Sequence, residues 1–138
     1  MDLHNLERTD PRICISGKVR RLNRLVANIF RKYILPFDIT SSQLSLLFIL
    51  SKNEQGFSQK ELSQFSVLEK SSLHRNLKRL IERELVSRAE FPTIKITPKG
   101  KQLTNDIIPE WEKAMAEVRG IMGEEGESAL DIVLNKFT

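Results

Sequence analysis

Between Lys70 and Arg79 the chain reads Lys-Ser-Ser-Leu-His-Arg-Asn-Leu-Lys-Arg. Cations and hydroxyls of this kind contact phosphates and base edges: arginine can donate two hydrogen bonds to guanine O6 and N7, and lysine can neutralise a phosphate. At about 100° per residue, Leu73, Leu77, Leu80 and Ile81 share one helical face, which predicts a buried stripe. Arg75 then points away from the stripe, flanked by Ser71, Ser72, Lys78 and Arg79. Ser71, Ser72 and Arg75, near the helix start, are the candidates for base contact. Lys78 and Arg79, with Arg88 and Lys95 further on, are candidates for phosphate contact. The competing reading of Arg75 is a solvated side chain paired with Glu69 or Glu82. His74 falls at the stripe's edge, where it meets either DNA or the core.

The surrounding elements must hold this helix in place. Thr40-Ser41-Ser42-Gln43 and Ser58-Gln59-Lys60-Glu61 both read as capping boxes, a hydroxyl at the N-cap with Gln or Glu three residues on. The first opens a helix through about Lys52 that is apolar on nearly every side and so belongs at the buried centre. Asn53 to Gly56 form a turn. The second box opens a short helix expected to bury Leu62 and Phe65, and the basic helix is expected from about Glu69 to Glu84. Leu85-Val86-Ser87-Arg88 and Thr93-Ile94-Lys95-Ile96-Thr97 alternate as a small hairpin around Phe91-Pro92.

Outside this unit, Asp10-Pro11 signals the start of a long amphipathic helix through Ile15, Val19, Leu22, Val26, Ile29, Phe30 and Tyr33, ended by Pro36. Thr97-Pro98 opens another through Leu103, Ile107, Trp111, Met115 and Val118. Pro109 is expected to kink it, Gly120 and Gly123 to loosen its end, and Glu127 to Phe137 to form a last short helix. The fold class expected is mainly α with a small β-hairpin wing: a winged helix-turn-helix, in which a short helix braces a basic one in a DNA major groove.

The residues resemble the MarR-type transcriptional regulators. Ile39-Thr40, Ser58-Gln59-Lys60-Glu61-Leu62, Leu73 to Arg79 with its central Arg75, Leu85-Val86-Ser87-Arg88 and Ile96-Thr97-Pro98-Lys99-Gly100 follow in the family's order and spacing. The resemblance implies a DNA-binding part at residues 39–100 and dimerisation helices at 11–35 and 101–138, within a single domain of residues 1–138. It adds Ser58, Gln59, Lys70 and His74 to the DNA-binding candidates. It also implies a homodimer on a pseudo-palindromic operator and a small-molecule effector pocket, for which Trp111 and Met115 are candidates; the plain alternative for these two is core packing. Two departures stand out. Glu84 occupies the position where the family usually has glycine, and the short stretch between Arg88 and Ile94 lacks the acidic and basic tip that supplies the family's minor-groove arginine.

Charge and composition agree with a polyanion partner. The chain has 138 residues, 22 Lys plus Arg against 18 Asp plus Glu, a net charge of +4 and a pI near 9.4. Arg12, Lys18, Arg20, Arg21, Arg24, Arg31 and Lys32 stand in the stretch 11–35 without an acid, either a solvated face or a polyanion footprint. A polar N-terminus and the lack of a bilayer-length apolar run point to a cytoplasmic setting. Cys14 is the only cysteine; it excludes an intrachain disulfide and a cysteine-based zinc site. It lies where peroxide-sensing relatives carry a reactive thiol, with Arg12 and Lys18 nearby, so it is either a redox centre or a bystander. Neither a catalytic constellation, a cofactor motif nor a metal-ligand spacing is present, so the expectation is not an enzyme, without cofactor or metal. Two alternatives to the DNA-binding regulator are a winged-helix protein-interaction module and a redox-sensing regulator using Cys14.

Overall fold

The computed structural model describes residues 1–138. Its elements are α1 (His4–Arg8), α2 (Ile15–Ile34), α3 (Ser41–Ser51), β1 (Phe57–Ser58), α4 (Gln59–Phe65), α5 (Lys70–Glu82), β2 (Val86–Glu90), β3 (Thr93–Ile96) and α6 (Pro98–Phe137). No single helix is long and apolar enough to cross a membrane.

Both capping boxes form. Thr40 Oγ1 accepts from Gln43 N–H while Gln43 Oε1 accepts from Thr40 N–H, both at 3.2 Å. Ser58 and Glu61 exchange the same pair of bonds at 3.1 and 3.0 Å. The apolar α3 is the core's centre: Leu46, Leu47 and Leu50 are fully buried, packed with Leu62, Leu73, Leu80, Ile94 and Ile107. Leu73, Leu77 and Leu80 of α5 are buried as the stripe requires, and Ile81 lies at its margin.

Several expectations are corrected. The helix expected from Pro11 starts at Ile15, because Asp10 caps a separate 3-10 turn, Pro11–Ile13, and Cys14 is extended (φ −63, ψ 116). His4 opens the short helix α1. Phe65, expected to be buried, is 57% exposed; its ring meets Phe57 edge-on with centroids 5.4 Å apart. Pro109 keeps helical backbone. The break in α6 falls at Gly123 (φ 69, ψ 175), one of the two glycines expected to loosen its end, leaving arms 98–122 and 124–137; that backbone strongly favours glycine. The hairpin gains a third strand, since β1 pairs antiparallel with β3 (Phe57 opposite Ile94), giving the order β1-β3-β2.

α5 ends in a Schellman motif: Leu85 N–H donates to Leu80 O at 3.0 Å and Glu84 N–H to Ile81 O at 2.9 Å. This places Glu84 in the left-handed region at φ 60, where a Cβ costs about 1 kcal/mol. Just beyond, Gly100 packs so closely on the Leu85 carbonyl that a Cβ would collide with it. Glu84→Gly is expected to stabilise the protein by about 1 kcal/mol, a rise in melting temperature of roughly 2–8 °C. A urea midpoint that stays put or falls would contradict that reading of the cap.

Candidate nucleic-acid interface

α5 presents its buried stripe to α3 and its opposite side to solvent. Ser71, His74, Arg75, Lys78 and Arg79 are exposed and Ser72 half-exposed. Arg75 donates through Nη2 to Ser72 Oγ at 3.2 Å and pairs with neither Glu69 nor Glu82. Lys70, Lys78, Arg79 and Arg88 are likewise outside every ion pair in the structure. A face of unpaired cations is poised for phosphates, because none of them must leave a carboxylate first.

Two adjoining hollows flank α5 on its wing side. One, of about 560 Å³, is lined by Gln59, Glu69, Lys70, Ser71 and His74. The other, of about 250 Å³, lies between α5 and the wing, with His74, Lys78 and Arg88 over a floor of Leu77, Ile81 and Ile94, and Gln59 at its edge. The fold therefore brings Gln59 from α4, four polar residues of α5 (Lys70, Ser71, His74 and Lys78) and Arg88 of β2 onto one continuous surface. Ser58 stands beside it, its hydroxyl oxygen occupied by the cap. Ser72, Arg75 and Arg79 lie outside these hollows, and Arg79 lines a separate one with Glu82 and Arg83. Lys95 is ion-paired with Glu90, and the Arg88 guanidinium sits 5.3 Å over the Phe91 ring. Glu69, which sequence reasoning offered only as the helix start and an ion-pair partner for Arg75, is the extended N-cap of α5. It is the one carboxylate in the first hollow.

A third cavity, of about 340 Å³, lies between α2 and α3. Asn23, Val26, Ala27 and Phe30 form one wall, Ser41, Leu44, Ser45 and Phe48 the other, and Trp111 closes it. Phe48 and Trp111 meet edge-on, 5.3 Å between centroids. Met115 is not in the lining. The α2 wall has the i, i+3, i+4, i+7 spacing of one helical face, a signal that could have found it; the α3 wall is hidden because α3 is apolar all round. Cys14 is exposed at the start of α2. Nowhere do three His, Cys, Asp or Glu side chains converge as metal ligands.

α2 packs chiefly on α6, and one polar cluster joins them. Lys32 Nζ and Tyr33 Oη both donate to Glu117 Oε1 at 2.7 Å. The Lys32 and Tyr33 bonds hold the Glu117 carboxyl below its ordinary range, and the bond to Glu117 raises both Lys32 and Tyr33.

A three-helix unit with a basic exposed helix and a three-stranded wing is a winged helix-turn-helix. Residues 37–93 match the sequence model of the MarR family, so this winged helix-turn-helix segment is similar to that of the MarR family. The fold likeness runs over nearly the whole chain. The Mycobacterium tuberculosis transcriptional regulator MosR is 26% identical, with a TM-score of 0.78, over 90% of this chain and 93% of that one. The Bordetella bronchiseptica regulator BpsR, whose DNA binding is regulated by 6-hydroxynicotinic acid, is 21% identical at TM-score 0.78, over 94% and 98%. A Mycobacterium tuberculosis MarR family protein in complex with DNA is 18% identical at TM-score 0.67, over 90% and 97%. No curated protein sequence matches the chain.

The Glu117 cluster has a defined pH signature. A carboxylate whose folded pKa is depressed contributes stability above its unfolded value, near 4.3, and loses it as pH falls through the folded value. Lys32, raised, contributes below about 10.4 and loses its contribution as pH rises through its folded value. Wild type is therefore expected to melt higher than Glu117→Gln at neutral pH, with the gap closing below about pH 4. A gap that stays constant in thermal melts down to acid pH would contradict this.

Proposed function

We propose that the chain is a sequence-specific, double-stranded-DNA-binding transcriptional regulator rather than an enzyme, acting in the cytoplasm as a homodimer on a pseudo-palindromic operator. The observation that carries this reading is the α5 face, where Ser71, Ser72 and Arg75 stand clear of the core and the neighbouring cations are unpaired. In this role Ser71, Ser72 and Arg75 contact base edges. Lys70, His74, Lys78, Arg79 and Arg88 hold phosphates, with Gln59 and Ser58 at the start of α4 beside them. Lys95 reaches a phosphate only by giving up Glu90. The relative solved with DNA and the relative whose DNA binding a small aromatic acid regulates support the partner and the cavity's role as an effector site. In that site Trp111 forms part of the wall, and Met115 is not among the lining residues.

The two roles on α5 separate experimentally. Arg75→Ala is expected to lower affinity for a selected duplex by about 5- to 150-fold, the equivalent of roughly 1–3 kcal/mol, while sparing non-specific binding. Lys78→Ala is expected to weaken both alike and to reduce the salt slope by about one unit. If Arg75→Ala leaves the specific to non-specific ratio intact, sequence is read elsewhere. Binding of an acidic protein without any duplex preference would favour an interaction module instead.

The dimer reading rests on the terminal helices (residues 11–35 and 101–138). Ile13, Ile15 and Val19 are 70, 76 and 61% exposed, and Ile132, Val133 and Phe137 are 57, 53 and 86% exposed. A single copy leaves this surface in water, and an isologous partner would cover it. Val133→Glu with Phe137→Glu is expected to give a folded monomer by sedimentation with little specific duplex affinity. A variant that remains dimeric would place the interface on other residues.

A further inference from the structure

A series of hydrogen bonds, joined through the covalent frame of Ser72, runs from the start of α3 to the outer face of α5. Gln43 is 7% exposed, and its two amide atoms have different duties. Its Oε1 accepts from Thr40 N–H, which fixes the amide's orientation, since the reverse would set donor against donor. Its Nε2 donates to Asn76 Oδ1 at 3.4 Å. Asn76 is fixed in turn: its Nδ2 donates to the Ser72 carbonyl at 2.9 Å. Ser72 then accepts, through Oγ, from Arg75 Nη2 at 3.2 Å. Every link is directional.

We infer that Gln43 and Asn76 are positioning residues, which set Ser72 and Arg75 in the geometry that reads a base pair without touching DNA themselves. Neither amide is needed to fill space, because leucine and methionine are close to asparagine and glutamine in size. A bidentate arginine contact tolerates little angular error, and on a solvent-facing side chain that precision must come from behind the helix. The path starts at Thr40, whose neighbour Ser41 lines the α2–α3 cavity. The inference rests on the DNA-reading role proposed above.

The test uses the full chain with Asn76→Ala, Gln43→Met and the double variant. Duplexes selected by the wild type give specific affinity, an unrelated duplex gives non-specific affinity, and thermal melts track folding. Each single variant is expected to lower the specific to non-specific ratio about fivefold, the effect of one hydrogen bond, with non-specific affinity unchanged. The double variant is expected to lose no more than the worse single one, because the two act in series. A lower melting temperature with an unchanged ratio, or additive losses, would overturn the inference. Backbone amide NMR provides a readout independent of DNA: Gln43→Met should shift the signals of Ser72 and Arg75. Unmoved signals overturn the positioning role. Should the wild type select no duplex, the DNA-reading role fails, and the NMR result still decides whether Gln43 positions those two residues.

Discussion

The Leu85 carbonyl is the point on which the rest of the structure depends. It accepts from Thr97 N–H at 3.1 Å, and Gly100 lies against it with no room for a side chain. Thr97 closes the junction: its hydroxyl donates to the Glu84 carbonyl at 2.6 Å and accepts from Gly100 N–H at 3.0 Å. Three elements thus meet in a few residues: the end of α5, the base of the wing and the start of α6. A shift in any of them would leave buried backbone groups unpaired. The left-handed Glu84 is the local strain this junction tolerates, outweighed by the Schellman bonds and by Leu85, Val86 and Ile96 entering the core.

That junction links the exposed face of α5 to α6. The cations on α5 are free because the core needs only one stripe of that helix, leaving the other side open to a polyanion. In the proposed dimer, α6 and α2 would set the distance between two copies of α5, and the junction would transmit that distance without slack. The α2–α3 cavity lies on the opposite side of α3 from α5, and the Glu117 cluster ties α2, one of its walls, to α6, which carries Trp111. An occupant of the cavity would therefore press on α3 and α2, which is how a small molecule could act on α5 from a distance.

Much of this was legible in the sequence wherever the deciding interaction is local. Thr40 with Gln43, Ser58 with Glu61, and Thr97-Pro98 specify their own helix starts, and the Leu73, Leu77, Leu80 spacing specifies which side of α5 is buried. The strain at Glu84 was also legible, because a missing glycine at a helix end has a conformational meaning. The two-residue strand Phe57–Ser58 was not, since two residues carry no alternation and the pairing partner is distant. Phe65 misled because apolar character alone does not reveal that Phe57 supports its ring at the surface. Pro109 misled, because α6 accommodates the missing N–H at an exposed position, whereas Gly123 breaks the helix as expected, since a left-handed backbone cannot continue it. The Gln43–Asn76 contact joins residues from two elements, and only the packed structure brings them together.

The central claim is that a pair of α5 helices reads duplex DNA. Its most direct test is selection of bound fragments from random duplex DNA by the purified protein, followed by sequencing. The account predicts enrichment of an inverted repeat whose half-sites are centred about 10 base pairs apart, one helical turn. A bound pool with no enriched sequence would contradict the reading of bases by α5, and a single unrepeated site would contradict the two-fold pair.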